Sequence, residues 1–492
     1  MLSIQGPQLS VLAATLDGPL LRRTARSAIP NVRSFGLWGE AMRQREGAGM
    51  DIRFWGTRGS LAKPGRNTLR HGGNTSCVEV RGDDGTLIVL DCGTGAHGLG
   101  QALLSAGPRC DGHLMITHTH WDHIQGFPFF APLFVPGNTW DIYAPGALGS
   151  QLERTLAGQM EYDYFPVTLA QLPATIRFHD IAEGEFAIGE MCVTTQYLNH
   201  PALTLGYRLQ SGGNAVVYSV DHEPHAPNPV ARAEGEPPRH KEDQRHIDFL
   251  AEADLVIHDS QYTVAEYSQK TGWGHTPAEW AVDYAIAARA KRLALTHHDP
   301  FRDDEAVDRV LEMCRRRASA AGSGLEVFAA AEGQELRFIE RDAKTPAAAR
   351  APEPARKVGP HTILVADDDP TIVRLLRLAL EQEGFRVVTA SDGEAALRLA
   401  RLEHPDLILL DWLMPSADGM EVTRRLRNEP DPALRDVPVV LITAQSGPEN
   451  TAEGFAAGVT DYLTKPFRPA HVRARVQAWL LRRPAEAPRD HE

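Results

Sequence analysis

Short apolar runs begin at Met50 and recur along the chain, whereas residues 1–49 mix Arg, Gly and Ala with no sustained period. Ser76–Arg81, Thr86–Asp91, Leu114–Thr117, Ala215–Val220, Leu255–His258 and Arg292–Thr296 are bounded by turn residues and read as strands. Pro277–Arg289 and Asp303–Arg317 carry helical spacing. The pattern predicts an α/β domain over residues 50–341, with 1–49 a disordered or mis-assigned extension and Met50 a candidate start. Lys344–Lys357 is built of Ala, Pro and charged residues that cannot bury a core, so 342–359 reads as a semi-extended linker. Beyond it, strands at Thr362–Ala366, Arg386–Ala390, Leu407–Asp411 and Val437–Ile442 alternate with helices at Pro370–Glu383, Gly393–Glu403 and near Arg468–Leu481. Ile372, Leu375, Leu376 and Ala379 mark the inner face of the first of these helices. This predicts a doubly wound parallel sheet over 360–484, followed by a tail at 485–492.

Composition narrows the function. The 492 residues are 42% hydrophobic and 23% charged, ordinary globular values. A net charge of −13 with no long Lys/Arg run lacks the footprint of a general nucleic-acid binder, so nucleic acid is disfavoured as a partner. Cys77, Cys92, Cys110, Cys192 and Cys314 are scattered without a CxxC, which argues against a disulfide framework and a cysteine zinc site. No apolar run is long enough to span a bilayer, so no membrane partner and a cytoplasmic location are expected.

The first chemistry lies at Leu114-Met-Ile-Thr-His118-Thr-His120-Trp-Asp122-His123, an apolar strand running into four candidate metal ligands. Residues two apart in an extended segment face the same way, so His118, His120 and Asp122 can converge, and a helical turn from Asp122 brings His123 beside them. Three imidazoles and a carboxylate suit Zn²⁺, with Mn²⁺ or Fe²⁺ as alternatives. His200, Asp221 and His297 each end a strand-like run where side chains can project into a shared cleft. His298 competes with His297, which directly terminates its run. Asp91 ends a strand before a Gly-rich turn and is placed either to orient a ligand imidazole or to serve as a buried structural acid. Thr276-Pro-Ala-Glu279 matches a capping box, putting His275 just outside a helix N-terminus, where it could protonate a leaving oxygen or simply stack beside Trp273. Tyr162-Asp-Tyr-Phe-Pro166 is an aromatic loop suited to covering a base or to packing.

With HxHxDH and the distal His, Asp and His on the page, this part of the chain resembles the metallo-β-lactamase superfamily. Phe54-Trp-Gly-Thr-Arg-Gly-Ser60, His71-Gly-Gly-Asn-Thr-Ser76 and Leu90-Asp-Cys-Gly-Thr-Gly95 look like its phosphodiesterase branch, which includes ribonuclease Z. The resemblance implies an αββα sandwich and two divalent transition metals. His118, His120 and His200 would hold one, Asp122, His123 and His297 the other, with Asp221 bridging; Asp122 and His275 would be the catalytic residues. The sequence departs from the family's pattern at His222-Glu223 and at Ala202-Leu-Thr204, departures that bear on the pocket's shape and hence its substrate.

The second chemistry lies past the linker. Thr362-Ile-Leu-Val-Ala-Asp367-Asp368-Asp369, Leu407-Ile-Leu-Leu-Asp411, Val439-Val-Leu-Ile-Thr443 and Tyr462-Leu-Thr-Lys465-Pro466 gather acids, a hydroxyl and a cation at the ends of parallel strands. These residues resemble a response-regulator receiver domain of the doubly wound (βα)5 type. The resemblance implies Mg²⁺ on Asp367, Asp368, Asp411 and the Leu413 carbonyl, Asp411 as phosphoacceptor, and Thr443, Tyr462 and Lys465 as the switch residues. It also implies a cognate sensor histidine kinase or phosphotransfer protein as partner.

Together these features predict a two-component signalling protein: a binuclear phosphodiesterase for a small phosphodiester such as a 3′,5′-cyclic nucleotide, regulated by aspartyl phosphorylation and able to form a homodimer. RNA 3′-processing of the ribonuclease Z kind and a non-hydrolytic binding module are the alternatives.

Overall fold

A computed structural model describes residues 49–107, 109–146, 151–226, 229–230, 240–340, 361–443, 457–465, 467 and 469–481. The linker and the tail expected from the sequence lie outside these residues, as does the expected N-terminal extension save Gly49, which opens the first strand opposite Ile339. The described residues belong to one compact unit, 45–492.

Fourteen strands form two seven-stranded sheets. In the first lie Gly49–Gly56 (β1), Cys77–Gly82 (β2), Leu87–Leu90 (β3), Gly112–Met115 (β4), Thr139–Pro145 (β5) and Thr175–Ile181 (β6). The second holds Gly184–Ile188 (β7), Met191–Leu198 (β8), Thr204–Ser211 (β9), Asn214–Ser219 (β10), Leu255–Asp259 (β11), Arg292–Thr296 (β12) and Glu326–Ala329 (β13). The chain then returns to the first sheet as Glu335–Ile339 (β14), antiparallel to β1.

The side-chain period explains the layers. In β3, Ile88 and Leu90 enter the core between the sheets with Met50, Ile52 and Phe54, while Leu87 and Val89 pack on the other side with Leu99, Leu103, Leu152 and Leu156 of flanking helices. Both faces are covered, so the run Leu87–Leu90 is apolar throughout rather than alternating. Helices Lys241–Leu250, Ala278–Ala287 and Asp304–Ala320 close the second sheet through Ile247, Ala281, Ala285, Cys314 and Ala318. This is the αββα sandwich.

Strand direction sets where chemistry can collect. β3, β4 and β5 are mutually parallel, as are β10, β11 and β12, and β9 is antiparallel to both β8 and β10. The carboxyl ends of β8, β10, β11 and β12 therefore share one edge, and the segments leaving β3 and β4 meet them there.

The last five strands, Thr362–Ala366 (β15), Arg386–Ala390 (β16), Leu407–Asp411 (β17), Val439–Thr443 (β18) and Asp461–Thr464 (β19), form a wholly parallel sheet in the order β16-β15-β17-β18-β19. Ile363 and Val365 pack on one side and Leu364 and Ala366 on the other, as a doubly wound sheet requires. The helix Pro370–Glu381 buries Leu376, Ala379 and Leu380, whereas Leu375 is exposed. The inner face is thus turned one position from the face expected with Leu375, because Leu380 rather than Leu375 reaches the core.

Candidate metal centre

Seven side chains from five chain segments converge at the shared edge. His118 and His120 come from the extended segment after β4, Asp122 and His123 from the one-turn helix Trp121–Ile124, and His200, Asp221 and His297 follow β8, β10 and β12. Their ligand atoms form two groups, His118/His120/His200/Asp221 and Asp122/His123/His297, each with its atoms within 4.8 Å of one another. Asp221 joins them: Oδ2 lies 3.3 Å from His118 Nε2, 3.3 Å from His123 Nε2 and 3.6 Å from His200 Nε2, while Oδ1 lies 3.1 Å from His297 Nε2. His297 Nε2 and His123 Nε2 also reach Asp122 Oδ2, at 3.0 and 3.3 Å. His298 turns away, its Nε2 on the Ala330 carbonyl at 3.1 Å.

Backbone strain marks the same edge. Asp91, Asp221 and His297, each just past a strand, have φ of 60°, 58° and 58°. Non-glycine residues rarely adopt this left-handed conformation and hold it where the surroundings demand it, commonly at functional sites.

Outer hydrogen bonds aim the imidazoles. His123 Nδ1–H donates to Asp91 Oδ2 at 2.8 Å, and the same carboxylate accepts from the Thr117 N–H and hydroxyl and from the Tyr218 hydroxyl at 2.9 Å. Asp91 thus occupies the orienting position the sequence allowed for it. His200 Nδ1–H donates to the Gly274 carbonyl at 3.0 Å, leaving Nε2 for the centre. The Ser60 N–H holds Asp122 Oδ2 at 2.7 Å.

Electrostatics suit cation binding. Desolvation holds His118, His120 and His200 below the ordinary imidazole range and so keeps them neutral, whereas desolvation of His123 is overcome by Asp122, Asp91 and Asp221, which raise it well above that range. Burial alone would raise the Asp122 and Asp221 carboxyls, but His123 beside the first and His297 and His123 beside the second hold both well below the usual carboxylate range. His118 Nε2, His123 Nε2 and Asp221 Oδ1 are buried without a hydrogen bond although they face opposite partners at close range. Orphaned atoms of this kind, all imidazole nitrogen or carboxylate oxygen, fit divalent cations.

His275 sits beside this set. Its Nδ1 lies 3.0 Å from Asp259 Oδ2 and 3.8 Å from Asp221 Oδ1, and its ring stacks on His297 at 5.1 Å. Burial works against the charged form, yet Asp259 and Asp221 raise it to about 9. The capping box expected at Thr276–Glu279 is not formed: Pro277 is the N-cap, the Thr276 hydroxyl donates to the His222 carbonyl at 2.5 Å, and Glu279 accepts from the Val264 N–H. Nor does Trp273 stack on His275; it is exposed, with Lys270 over its ring at 4.1 Å, and Tyr262 takes the place beside His275. Tyr162 and Tyr164 are exposed, and only Phe165 of that loop packs on the core.

Asp259 is a site residue that the sequence reading did not single out, and Glu223, read there only as a departure bearing on the pocket's shape, is a second. Asp259 ends β11 as Asp221 follows β10, so the strand-end acid was a readable signal. His258 is buried behind the centre, bonded to His246 Nε2 at 3.1 Å and to the Asp259 carbonyl at 2.8 Å.

In the C-terminal sheet, Asp367, Asp368 and Asp411 bring carboxylate oxygens within 4.8 Å of one another. Lys465 Nζ bridges Asp411 at 2.6 Å and Asp367 at 2.9 Å, and its backbone N–H donates to the Thr443 carbonyl. Desolvation raises Asp367, and desolvation of Lys465 is outweighed by its two carboxylates, which raise it. The Leu413 N–H donates to Asp411 Oδ2 at 3.0 Å, and Tyr462 stacks on Trp412 at 6.1 Å.

Comparison with known proteins agrees with this division. Residues 86–298 match the beta-lactamase superfamily domain and residues 363–477 the response regulator receiver domain. The chain is therefore a beta-lactamase-superfamily domain fused to a response regulator receiver domain. Its similarity to the alkaline phosphatase synthesis transcriptional regulatory protein PhoP of Bacillus subtilis is 45% identity over 126 residues, 26% of this chain and 51% of that protein. The chain spans about half the length of the curated relatives it matches. Among solved structures, the metallo-beta-lactamase fold protein YhfI from Bacillus subtilis is 20% identical, covering 59% of this chain and 100% of that one with a TM-score of 0.41. A diphosphatase from the PhnP family is 18% identical, covering 59% and 98% with a TM-score of 0.41. The fold implies divalent metals and a hydrolase-like domain. No described helix is long and apolar enough to cross a membrane.

Proposed function

We propose that residues 50–341 form a binuclear metal-dependent phosphodiesterase acting on a small phosphodiester, and that residues 360–484 regulate it through phosphorylation of Asp411. The observation that supports this most directly is the pair of ligand groups meeting at one carboxylate, Asp221. His118, His120 and His200 would hold one cation, Asp122, His123 and His297 the other. Two divalent cations there would supply Lewis acidity, acidifying water and neutralising charge on a phosphoryl oxygen.

The chain's own residues supply the rest. Asp91 fixes the His123 ring, and Gly274 fixes that of His200. His275, held by Asp259 at Nδ1, keeps its proton at neutral pH and delivers it to the leaving oxygen as the P–O bond breaks. Exposed Trp121, beside His120, and Trp273, with its lysine, offer planar and cationic contacts suited to a nucleotide. In the receiver, Asp367, Asp368, Asp411 and the Leu413 carbonyl would bind Mg²⁺, and a histidine kinase or phosphotransfer protein would supply the phosphoryl group.

The test is turnover by the purified chain, loaded with Zn²⁺ or Mn²⁺, of bis-p-nitrophenyl phosphate, cyclic nucleotides, cyclic dinucleotides and tRNA precursors. Hydrolysis of the small diesters supports the reading. Cleavage confined to tRNA precursors replaces it with RNA processing, and no hydrolysis at full metal occupancy replaces it with a binding role.

A further inference from the structure

The residues that follow Asp221 lead from the metal centre to the receiver. Glu223 is buried, and its carboxylate accepts from the Tyr267 hydroxyl at 2.6 Å, the Gly272 N–H at 2.7 Å and the Gly274 N–H at 2.8 Å. The Gly274 carbonyl accepts from His200, and the next residue is His275. Gly274 has φ +89°, and a Cβ there would lie 2.1 Å from the His200 ring, so only glycine fits this turn. One carboxylate thus holds the segment beneath both a ligand and the proton donor.

Two residues beyond Glu223 the chain meets the receiver. The N–H groups of His225 and Ala226 are fixed by Asp243 at 3.0 Å each. The His225 side chain, 3% exposed, lies parallel to the His240 ring and brings Nδ1 to 3.9 Å from Asp461 Oδ2. Asp461 opens β19 and is anchored within the receiver by Arg475 at 2.6 Å and Trp479 at 2.8 Å. His225, His240 and Asp461 bring ligand atoms within 4.8 Å of one another, but His240 Nδ1 accepts from the Glu242 N–H, which places its proton on Nε2.

We propose that Asp461 is where the receiver grips the 222–226 segment, and that Glu223 is the positioning residue through which this grip reaches His200 and His275. The strand that carries Asp461 also carries Tyr462 and leads into Lys465, which bridges Asp411. When a donor such as acetyl phosphate transfers its phosphoryl group, a P–O bond forms at an Asp411 carboxylate oxygen and acetate leaves. The new charge competes for Lys465, shifts β19 and loosens Asp461 from His225. A covalent change biases a distant site only through a contact that differs between its states, and this contact is one.

This deepens the phosphodiesterase reading and rests on it for the kinetic arm alone. The test is hydrogen–deuterium exchange of the metal-loaded full chain, before and after acetyl phosphate with Mg²⁺, with phosphorylation verified by intact mass. Exchange in 222–226 and 272–276 should rise about fivefold or more in wild type, and not at all in Asp411→Asn. Asp461→Asn and His225→Gln cut the contact from its two sides and should both lose the response while still being phosphorylated. Glu223→Gln should lower kcat by about 10- to 100-fold with KM near wild type. A phosphorylated wild type with unchanged exchange, or retention of the response by either contact variant, overturns the proposal. An exchange response in a chain that hydrolyses no phosphodiester sinks the phosphodiesterase reading and leaves the coupling standing; hydrolysis without the response does the reverse.

Discussion

The chain collects acidic and ligating side chains twice at the carboxyl ends of parallel strands, with different results. At the N-terminal centre, imidazoles outnumber carboxylates, every member except His120 is buried, and residues of two sheets must meet. In the receiver, three carboxylates from two neighbouring strands lie at a partly open edge, Asp368 exposed, with one lysine between them. A set dominated by imidazoles suits a borderline cation, whereas clustered carboxylates, two of them paired with one lysine, suit a hard cation and a phosphoryl group.

Breaking the first centre should have the largest effect. Asp221→Asn removes the shared carboxylate, and elemental analysis should show loss of bound metal with no measurable turnover; a variant still carrying two metals per chain would refute the bridging role. His275→Ala comes next, with kcat lower by about 10²–10⁴-fold at full metal content. Because Asp259 and Asp221 overcome burial and raise His275 to about 9, its proton is present at neutral pH and departs as pH rises towards that value. Wild-type kcat should therefore fall on the alkaline side, and that limb should vanish in His275→Ala; an identical profile in the variant would remove His275 from the chemistry.

Smaller effects sharpen the contrast. Asp91→Asn keeps an acceptor for His123 and Tyr218 but sets an amide N–H against the Thr117 N–H, so metal affinity or activity should drop by about 10- to 100-fold, readable by competition with a chelator. Asp411→Asn should abolish acid-labile phosphate on the receiver yet leave the transition-metal content of the other centre at its wild-type value. Loss of that metal would mean that the two sites are not separate.

The sequence by itself determined the local pieces. The HxHxDH run, the strand-end His200, Asp221 and His297, and the acids and Lys465 of the receiver could be read because their spacing follows the strand period and the turn that ends each strand. The inner strands β3, β4, β10, β11 and β12 and most strands of the receiver sheet were legible because a strand covered on two faces is apolar throughout, whereas partly exposed strands such as β6 and β14 carried no such run and were not read. Tertiary structure alone decided what those pieces touch. The choice of Asp259 as partner for His275, the unformed capping box at Thr276, the left-handed backbone at Asp91, Asp221 and His297, and the clamp of Glu223 on Gly272 and Gly274 all depend on segments far apart in the chain. Such contacts follow no local period: a hydrogen bond across dozens of residues is fixed by which strands lie side by side, and the pattern within any one strand carries no record of its neighbour.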